Sequence, residues 1–412
     1  MKLKGNDIFT RGGVCAAKGF KANGINCGLN SDKNKNDLAL IVSDEICNTA
    51  CVYTQNKVKG APILVTKSNL AKSNGKSRAV IANSKNANTC NADGVEKAMK
   101  MCELTADVLG INADEVIVAS TGVIGQPLPI APIASGIEKL KGTLSKDGGI
   151  SAAEAIMTTA TVKKQWAVET VLDGKKVTIG GIAKGSGMIH INMGTTLSFV
   201  TTDAAISSEM LKSALIEAAD VSYNMVSVDG DTSTNDTLAI MASGYAGNKE
   251  ITEKNDDYKT FTAVLTDAFK KVAKKLAKDG EGATKLLICK VDGAKDDKSA
   301  KIISKSIICS SLVKAAMFGA DANCGRILCA IGYSGAETDV KRIDVSYKSA
   351  KGEIPVCKNG NGLVFDEDKA KEILLEDEIE ILVKLGDGNA SAEAYGCDLT
   401  YDYVKINGDY RT

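Results

Sequence analysis

A layered α/β protein is predicted by three features of this sequence. Short apolar runs alternate with longer stretches of helical periodicity along its whole length. No linker, internal repeat or low-complexity tract divides the 412 residues, which are enough for two or three domain-sized units and a large core. The last hundred residues are rich in strand-like segments.

Taken in order, residues 37–44 (DLALIVSD), 62–66, 78–83 (RAVIAN) and 115–120 (EVIVAS) read as buried strands. Between the last two, Val95, Ala98, Met99, Cys102, Thr105, Ala106 and Leu109 recur at helical spacing. Leu197 to Thr202 reads as a further strand. Phe261, Val264, Leu265, Ala268, Val272 and Leu276 form one stripe of a helix that stops at Asp279-Gly280. A third helix is expected over roughly 299–317, and residues 379–385 read as a late strand.

Composition removes several function classes. Lys plus Arg equals Asp plus Glu at 51 each, so no net field draws the chain to nucleic acid or an anionic membrane. Aromatic residues are 4%, too few for a base-stacking surface. No apolar run approaches the ~20 residues of a membrane span. The opening MKLKGNDIFTRGG has no signal-like apolar segment, so a cytoplasmic location is expected. The twelve cysteines include no CxxC pair and the chain has a single histidine, which argues against zinc and for reduced, mostly buried thiols. Asp229-Gly-Asp231-Thr-Ser233-Thr-Asn235 opens like a calcium loop but has Thr234 and Ile240 where glycine and glutamate are needed; a structural role is expected instead, its short polar side chains satisfying backbone groups near the site. Gly75-Lys-Ser77 lacks the earlier glycine of a phosphate loop, Leu70 standing there. No metal, nucleotide or other cofactor is inferred.

Chemistry concentrates between Lys184 and Leu197, in the run KGSGMIHINMGTTL. Glycines at 181, 185 and 187 loosen the backbone, and Gly194 precedes Thr195 and Thr196. A Gly-Thr bond can be held distorted beside the threonine hydroxyl. Attack of Thr195 Oγ1 on the Gly194 carbonyl gives an ester, and its hydrolysis frees Thr195 as a new N-terminus. An α-amine titrates near pH ~8, so part of it is neutral at pH 7 and can serve as base for its own hydroxyl. The only histidine, His190, is the one imidazole base open to a Ser-His or Cys-His relay. Local features alone leave an ordinary uncleaved Gly-Thr turn open beside this reading.

The run Lys184-Gly-x-Gly-Met-Ile-x-x-Asn-Met-Gly-Thr resembles the processing site of the glutamate N-acetyltransferase family, the ornithine acetyltransferases of the cyclic arginine pathway. It differs from the commonest form at Ile191, Gly194 and Thr196. The resemblance spans nearly the whole chain through Lys18-Gly-Phe, Asn83 to Cys90, Ser120 to Gly125, Val228 to Asp236, Asp279 to Lys285, Gly332 to Ala336 and Tyr403 to Asn407. Lys85 stands where the family commonly has glycine, Cys324 where it has tryptophan, and Ala160 where it has aspartate.

This resemblance implies an α/β/β/α sandwich with mixed sheets, self-cleaved into two intertwined chains, 1–194 and 195–412, paired as a heterotetramer of two α and two β chains. It implies Thr195 as nucleophile, cleavage between Gly194 and Thr195, and Thr121 with Gly122 as the oxyanion hole. Substrate contacts are implied at Thr158, Lys184, Thr195, Glu281, Asn407 and Thr412. The implied reaction moves an acetyl group from N2-acetyl-L-ornithine to L-glutamate, with acetyl-CoA as a second donor in bifunctional members. The partners are then small molecules, with no nucleic acid or membrane. A self-processed amidase or aminopeptidase, in which water takes the acyl group, and an uncleaved binding or scaffold protein stay open as alternatives.

Overall fold

The computed structural model describes residues 12–190 and 196–409. In chain order the first ten strands are β1 (Phe20–Ile25), β2 (Leu38–Tyr53), β3 (Lys76–Asn83), β4 (Val116–Ser120), β5 (Lys164–Leu172), β6 (Lys175–Lys184), β7 (Ile189–His190), β8 (Leu197–Thr202), β9 (Ser227–Thr232) and β10 (Thr237–Ala242). Seven of them form a mixed sheet in the order β4-β3-β2-β10-β8-β6-β5, with β1 laid along the first half of β2. β7 and β9 pair apart as a short antiparallel ribbon.

The two sides of residue 194 share this sheet. β8 and β10, from the C-terminal side, run parallel to each other between β2 and β6, from the N-terminal side. Every residue of LSFVTT and TLAIMA is buried. A strand flanked on both edges and covered on both faces has no need of polar alternation, which is why these segments read as unbroken apolar runs.

On one face Ala39, Ile41, Val80, Ile182, Phe199 and Met241 pack under the N-terminal segment and helix Gly149–Ala155. On the other, Leu38, Leu40, Ala79 and Ile81 lie under helices Gly94–Leu109, Ile130–Lys141 and Ala61–Lys72. Val52, Trp166, Ile179 and Val200 lie on that face under helices Ser208–Asp220 and Asp256–Lys278. Trp166 and Tyr223 both meet the Phe269 ring edge-on, at centroid distances of 6.0 and 4.9 Å. Each such pair adds about 1 kcal/mol beyond its buried area.

The later strands are β11 (Leu286–Ala294), β12 (Asp344–Ser349), β13 (Gly352–Lys358), β14 (Asn361–Gly362), β15 (Glu378–Lys384) and β16 (Ala390–Cys397). They form a second sheet ordered β14-β13-β12-β15-β11-β16. Helix Asp256–Lys278 touches both sheets, with Lys274 over the Tyr395 ring. Helix Asp297–Cys309 covers the opposite face of β16, where Gly396 meets Ile308.

The mixed α/β architecture is the one expected from the sequence, with two corrections. Residues 62–66 lie in helix Ala61–Lys72, not in a strand. Pro62 sits in its first turn, where its missing N–H has no intrahelical acceptor to lose. Pro62, Val65, Thr66 and Asn69 bury one helical stripe, so five residues were too few to show the period. The helix expected over 299–317 is two, Asp297–Cys309 and Ser311–Phe318. Ser310 breaks it, its hydroxyl accepting from the Val313 N–H at 3.3 Å to cap the second. The cysteines are all free thiols; Cys90 and Cys329 are exposed and four others half-buried.

Candidate active site

Three strand ends meet at one edge of the first sheet. Lys184, the last residue of β6, pairs with Leu197, the first of β8, which pairs with Thr237, the first of β10. Lys184, Thr196 and Asp236 therefore come together, and the Thr237 N–H donates to the Thr196 carbonyl at 3.2 Å. They line a cleft enclosing ≈ 100 Å³. Thr121, Gly122, Thr158, Glu281 and Asn407 line it too, so six positions nominated from sequence converge. Gly194, Thr195 and Thr412 lie outside the described residues. Thr196, one peptide bond beyond Thr195, is 4% exposed, and its hydroxyl has no hydrogen-bond partner among the described residues.

Thr121 and Gly122 leave the end of β4 on a path set by polar staples. Ser120 Oγ donates to Asn83 Oδ1 at 2.6 Å, and the Thr121 N–H donates to the Asn83 carbonyl at 3.0 Å. Asn235 ties this loop to the start of β10: its Nδ2 donates to the Ser120 and Ala87 carbonyls at 3.0 and 2.6 Å. Its Oδ1 accepts from the Thr89 and Thr234 hydroxyls, both at 2.6 Å. Gly122 has φ +132°, and a Cβ there would stand 2.2 Å from the Lys85 carbonyl carbon. Only glycine fits both demands. Among the described residues no hydrogen bond engages the Gly122 N–H or the Thr121 hydroxyl. Two donors beside the cleft thus have no partner among the described residues, as a developing oxyanion requires.

The opposite wall is fastened to the end of helix Asp256–Lys278. Asp279 pairs with the buried Lys164 ammonium and accepts from the Thr161 N–H at 3.2 Å. Ser186 Oγ donates to the Asp279 carbonyl at 2.7 Å. Two residues beyond Asp279, the Glu281 N–H donates to the Ser186 carbonyl at 3.0 Å, and its carboxylate accepts from Asn407 Nδ2 at 2.7 Å. A Cβ on Gly187 would stand 2.2 Å from that carboxylate, so glycine there makes the room Glu281 occupies. Asp229 accepts from the Met188 and Ile189 N–H groups at 2.7 and 2.9 Å, the structural role expected of its motif.

Charge in the cleft is poised near neutrality. Burial lowers Lys184 to about 8 against the pull of Asp236 and Glu281, and Lys164 adds to the drop. Burial raises Asp236 to about 7, opposed by the Lys184 ammonium and the Ser233 hydroxyl. His190 is not among the lining residues; its Nδ1 lies 3.2 Å from Ser227 Oγ and 3.3 Å from Cys309 Sγ. Burial, aided by Lys305, lowers it to about 4, so it is neutral at pH 7. Among the described residues no group of three or more His, Cys, Asp or Glu side chains is placed to hold a metal ion.

The ArgJ family model matches residues 21–412. The chain belongs to the ArgJ family. It is 51% identical over 394 residues to "Arginine biosynthesis bifunctional protein ArgJ 1" of Clostridium acetobutylicum, covering 95% of this chain and 96% of that one. It is 49% identical to the corresponding protein of Caldanaerobacter subterraneus, covering 96% and 97%. A crystal structure of "Arginine biosynthesis bifunctional protein argJ" from Bacillus halodurans is 46% identical, covering 52% of this chain and 98% of that one, at a TM-score of 0.49.

Two further residues of this ArgJ site are not among the site residues nominated from sequence, although Asn235 ends the run expected to satisfy backbone groups nearby. Asn235 is 6% exposed and makes four side-chain hydrogen bonds, yet in sequence it is one polar residue in a polar run. Asp236 is 4% exposed and enters the sequence reading only as the last residue of the Val228 to Asp236 stretch. One signal was available: Asp236 directly precedes the apolar run TLAIMA, so it is a charge at the mouth of a buried strand.

Proposed function

We propose that this chain is an acyltransferase of arginine biosynthesis that carries acetyl from N2-acetyl-L-ornithine to L-glutamate on Thr195. The chain cuts itself between Gly194 and Thr195, giving chains 1–194 and 195–412. Thr195 Oγ1 attacks the acetyl carbonyl, and its own α-amine takes the hydroxyl proton and delivers it to the departing ornithine nitrogen. The Thr121 hydroxyl and Gly122 N–H stabilise the oxyanion. The glutamate amine then attacks the acetyl-threonine ester, regenerating the hydroxyl. An ester keeps the acyl group reactive, so this exchange needs no ATP. Acetyl-CoA serves as a second donor, the assembly is a heterotetramer of two α and two β chains, and the location is the cytoplasm.

One observation carries the reading: Thr121 and Gly122, whose hydroxyl and N–H bond to none of the described residues, line the same cleft as Lys184 and Glu281. Thr158 and Asn407 line the same cleft, and the proposal adds Thr412, outside the described residues, as a further substrate contact. A cation and a carboxylate together complement the carboxylate and ammonium of an amino acid. Family membership supports the same assignment.

The test compares the protein with Thr195→Ala on a denaturing gel and in an acetyl-transfer assay. Two fragments and glutamate-dependent loss of N-acetylornithine are expected, against a single inert chain for the variant. Cleavage that persists in Thr195→Ala, or acetate release indifferent to glutamate, would overturn the proposal.

A further inference from the structure

Asp236 has no part in the exchange just described, yet it is one of the most deeply buried charges of the cleft. It is 4% exposed and stands one residue before β10, as Thr196 stands one residue before β8. Its carbonyl accepts the Thr54 N–H at 3.1 Å, which pins the backbone. Among the described residues no direct ion pair reaches its carboxylate or the Lys184 ammonium. Lys184 at the end of β6 and Asp236 just before β10 flank the start of β8 at Leu197 and line the same cleft. Desolvating either charge alone is strongly unfavourable, and each is the other's leading electrostatic partner.

We propose that Asp236 is the positioning residue for Lys184, holding its ammonium charged and aimed into the cleft to receive the carboxylate of an amino-acid substrate. The substrate assignment rests on the acyltransferase reading; the Asp236–Lys184 coupling does not. Glu281, from the turn after helix Asp256–Lys278, adds negative charge near Lys184, whereas Lys164 of β5 opposes it and is itself bound to Asp279. Among the described residues the Ser233 hydroxyl also bears on Asp236, favouring its ionised form. The pair is complete only while Asp236 is ionised and Lys184 protonated, between about 7 and about 8. Below this window the carboxylate takes a proton; above it the ammonium loses one.

The experiment titrates Lys184 by pH-dependent amine labelling and mass spectrometry, in the full-length protein and in Asp236→Asn, beside the pH profile of kcat/KM. In the variant the Lys184 midpoint should fall by about one pH unit or more. KM for the amino acid should rise more than kcat falls, the acid limb near 7 should vanish, and Asp236→Glu should restore both. A Lys184 midpoint unmoved by Asp236→Asn would sink the idea even if activity dropped, because a purely structural loss leaves that midpoint in place. The unaltered protein provides a second reading should the variant not fold. A Lys184 curve with an inflection near 7 from its neighbour supports the coupling; a single curve at an ordinary lysine position overturns it. A shifted midpoint in a protein that transfers no acetyl group upholds the coupling and counts against the acyltransferase reading instead.

Discussion

The cleft of the first sheet and the open face of the second handle charge in opposite ways. On the second sheet Glu380 lies 2.5 Å from Lys290 of the neighbouring β11 and 3.6 Å from Lys348 of β12, and Lys358 lies 2.6 Å from Asp344. Those charges are neutralised in place and touch water. In the cleft, Lys184, Asp236 and Glu281 share one cavity with no direct ion pair among the described residues. The difference teaches where to look for chemistry. A fold neutralises charges it does not need free, and leaves desolvated charge unspent where a ligand brings the complement.

The same contrast holds for backbone. Around the cleft, Gly122, Lys85, Asn88, Cys90 and Met188 have positive φ, whereas β11, β15 and β16 contain a single such residue, Gly293. Departures from ordinary geometry cluster where groups must be aimed.

The contrast breaks most easily at Gly122. Gly122→Ala pushes a methyl into the Lys85 backbone and moves one oxyanion donor, so kcat should fall about 100- to 1000-fold. Steady-state kinetics on cleaved protein test this, and activity within a few-fold of the parent would remove Gly122 from the oxyanion hole.

A matched pair of isosteric changes sharpens the comparison. Glu281→Gln should raise KM for the amino acid by about 10- to 100-fold, the worth of a hydrogen bond to a charged group. Glu380→Gln should change stability by no more than about 1 kcal/mol and leave transfer kinetics alone, because its ion pairs are partly solvated. Equal kinetic effects from the two would erase the distinction between unspent and neutralised charge.

The smallest effect is expected at Lys85, where φ is +73° at a position the family commonly gives to glycine. Lys85→Gly removes a left-handed penalty of about 1–2 kcal/mol but frees the unfolded chain, leaving a net gain below about 1 kcal/mol. A lowered Tm would show that the lysine side chain makes a contact that outweighs the strain.

Much of the molecule was legible beforehand because its signals are local. Long amphipathic stripes such as Phe261 to Leu276 and unbroken runs such as LSFVTT determine helix and strand with little outside help. The site glycines were legible through motif. Short segments failed: Pro62 to Thr66 is strand-like in composition, and only its burial against the first sheet decides for helix. Asn235 ends a run expected to satisfy backbone groups, but its place as a hub was hidden, because three of its four partners come from residues 87, 89 and 120, over a hundred positions away.

By itself, then, the sequence determined the alternation of strand and helix, the balanced charge, and which glycines and hydroxyls could carry acyl chemistry. All of these depend on a residue and its near neighbours. The tertiary structure alone decided that β8 and β10 enter between β2 and β6, and that Lys184, Asp236 and Glu281 line one cleft with no direct ion pair among the described residues. It also took His190 away to Ser227 and Cys309. Those outcomes arise from strand order and burial, through which groups far apart in the chain alter one another's solvation and charge.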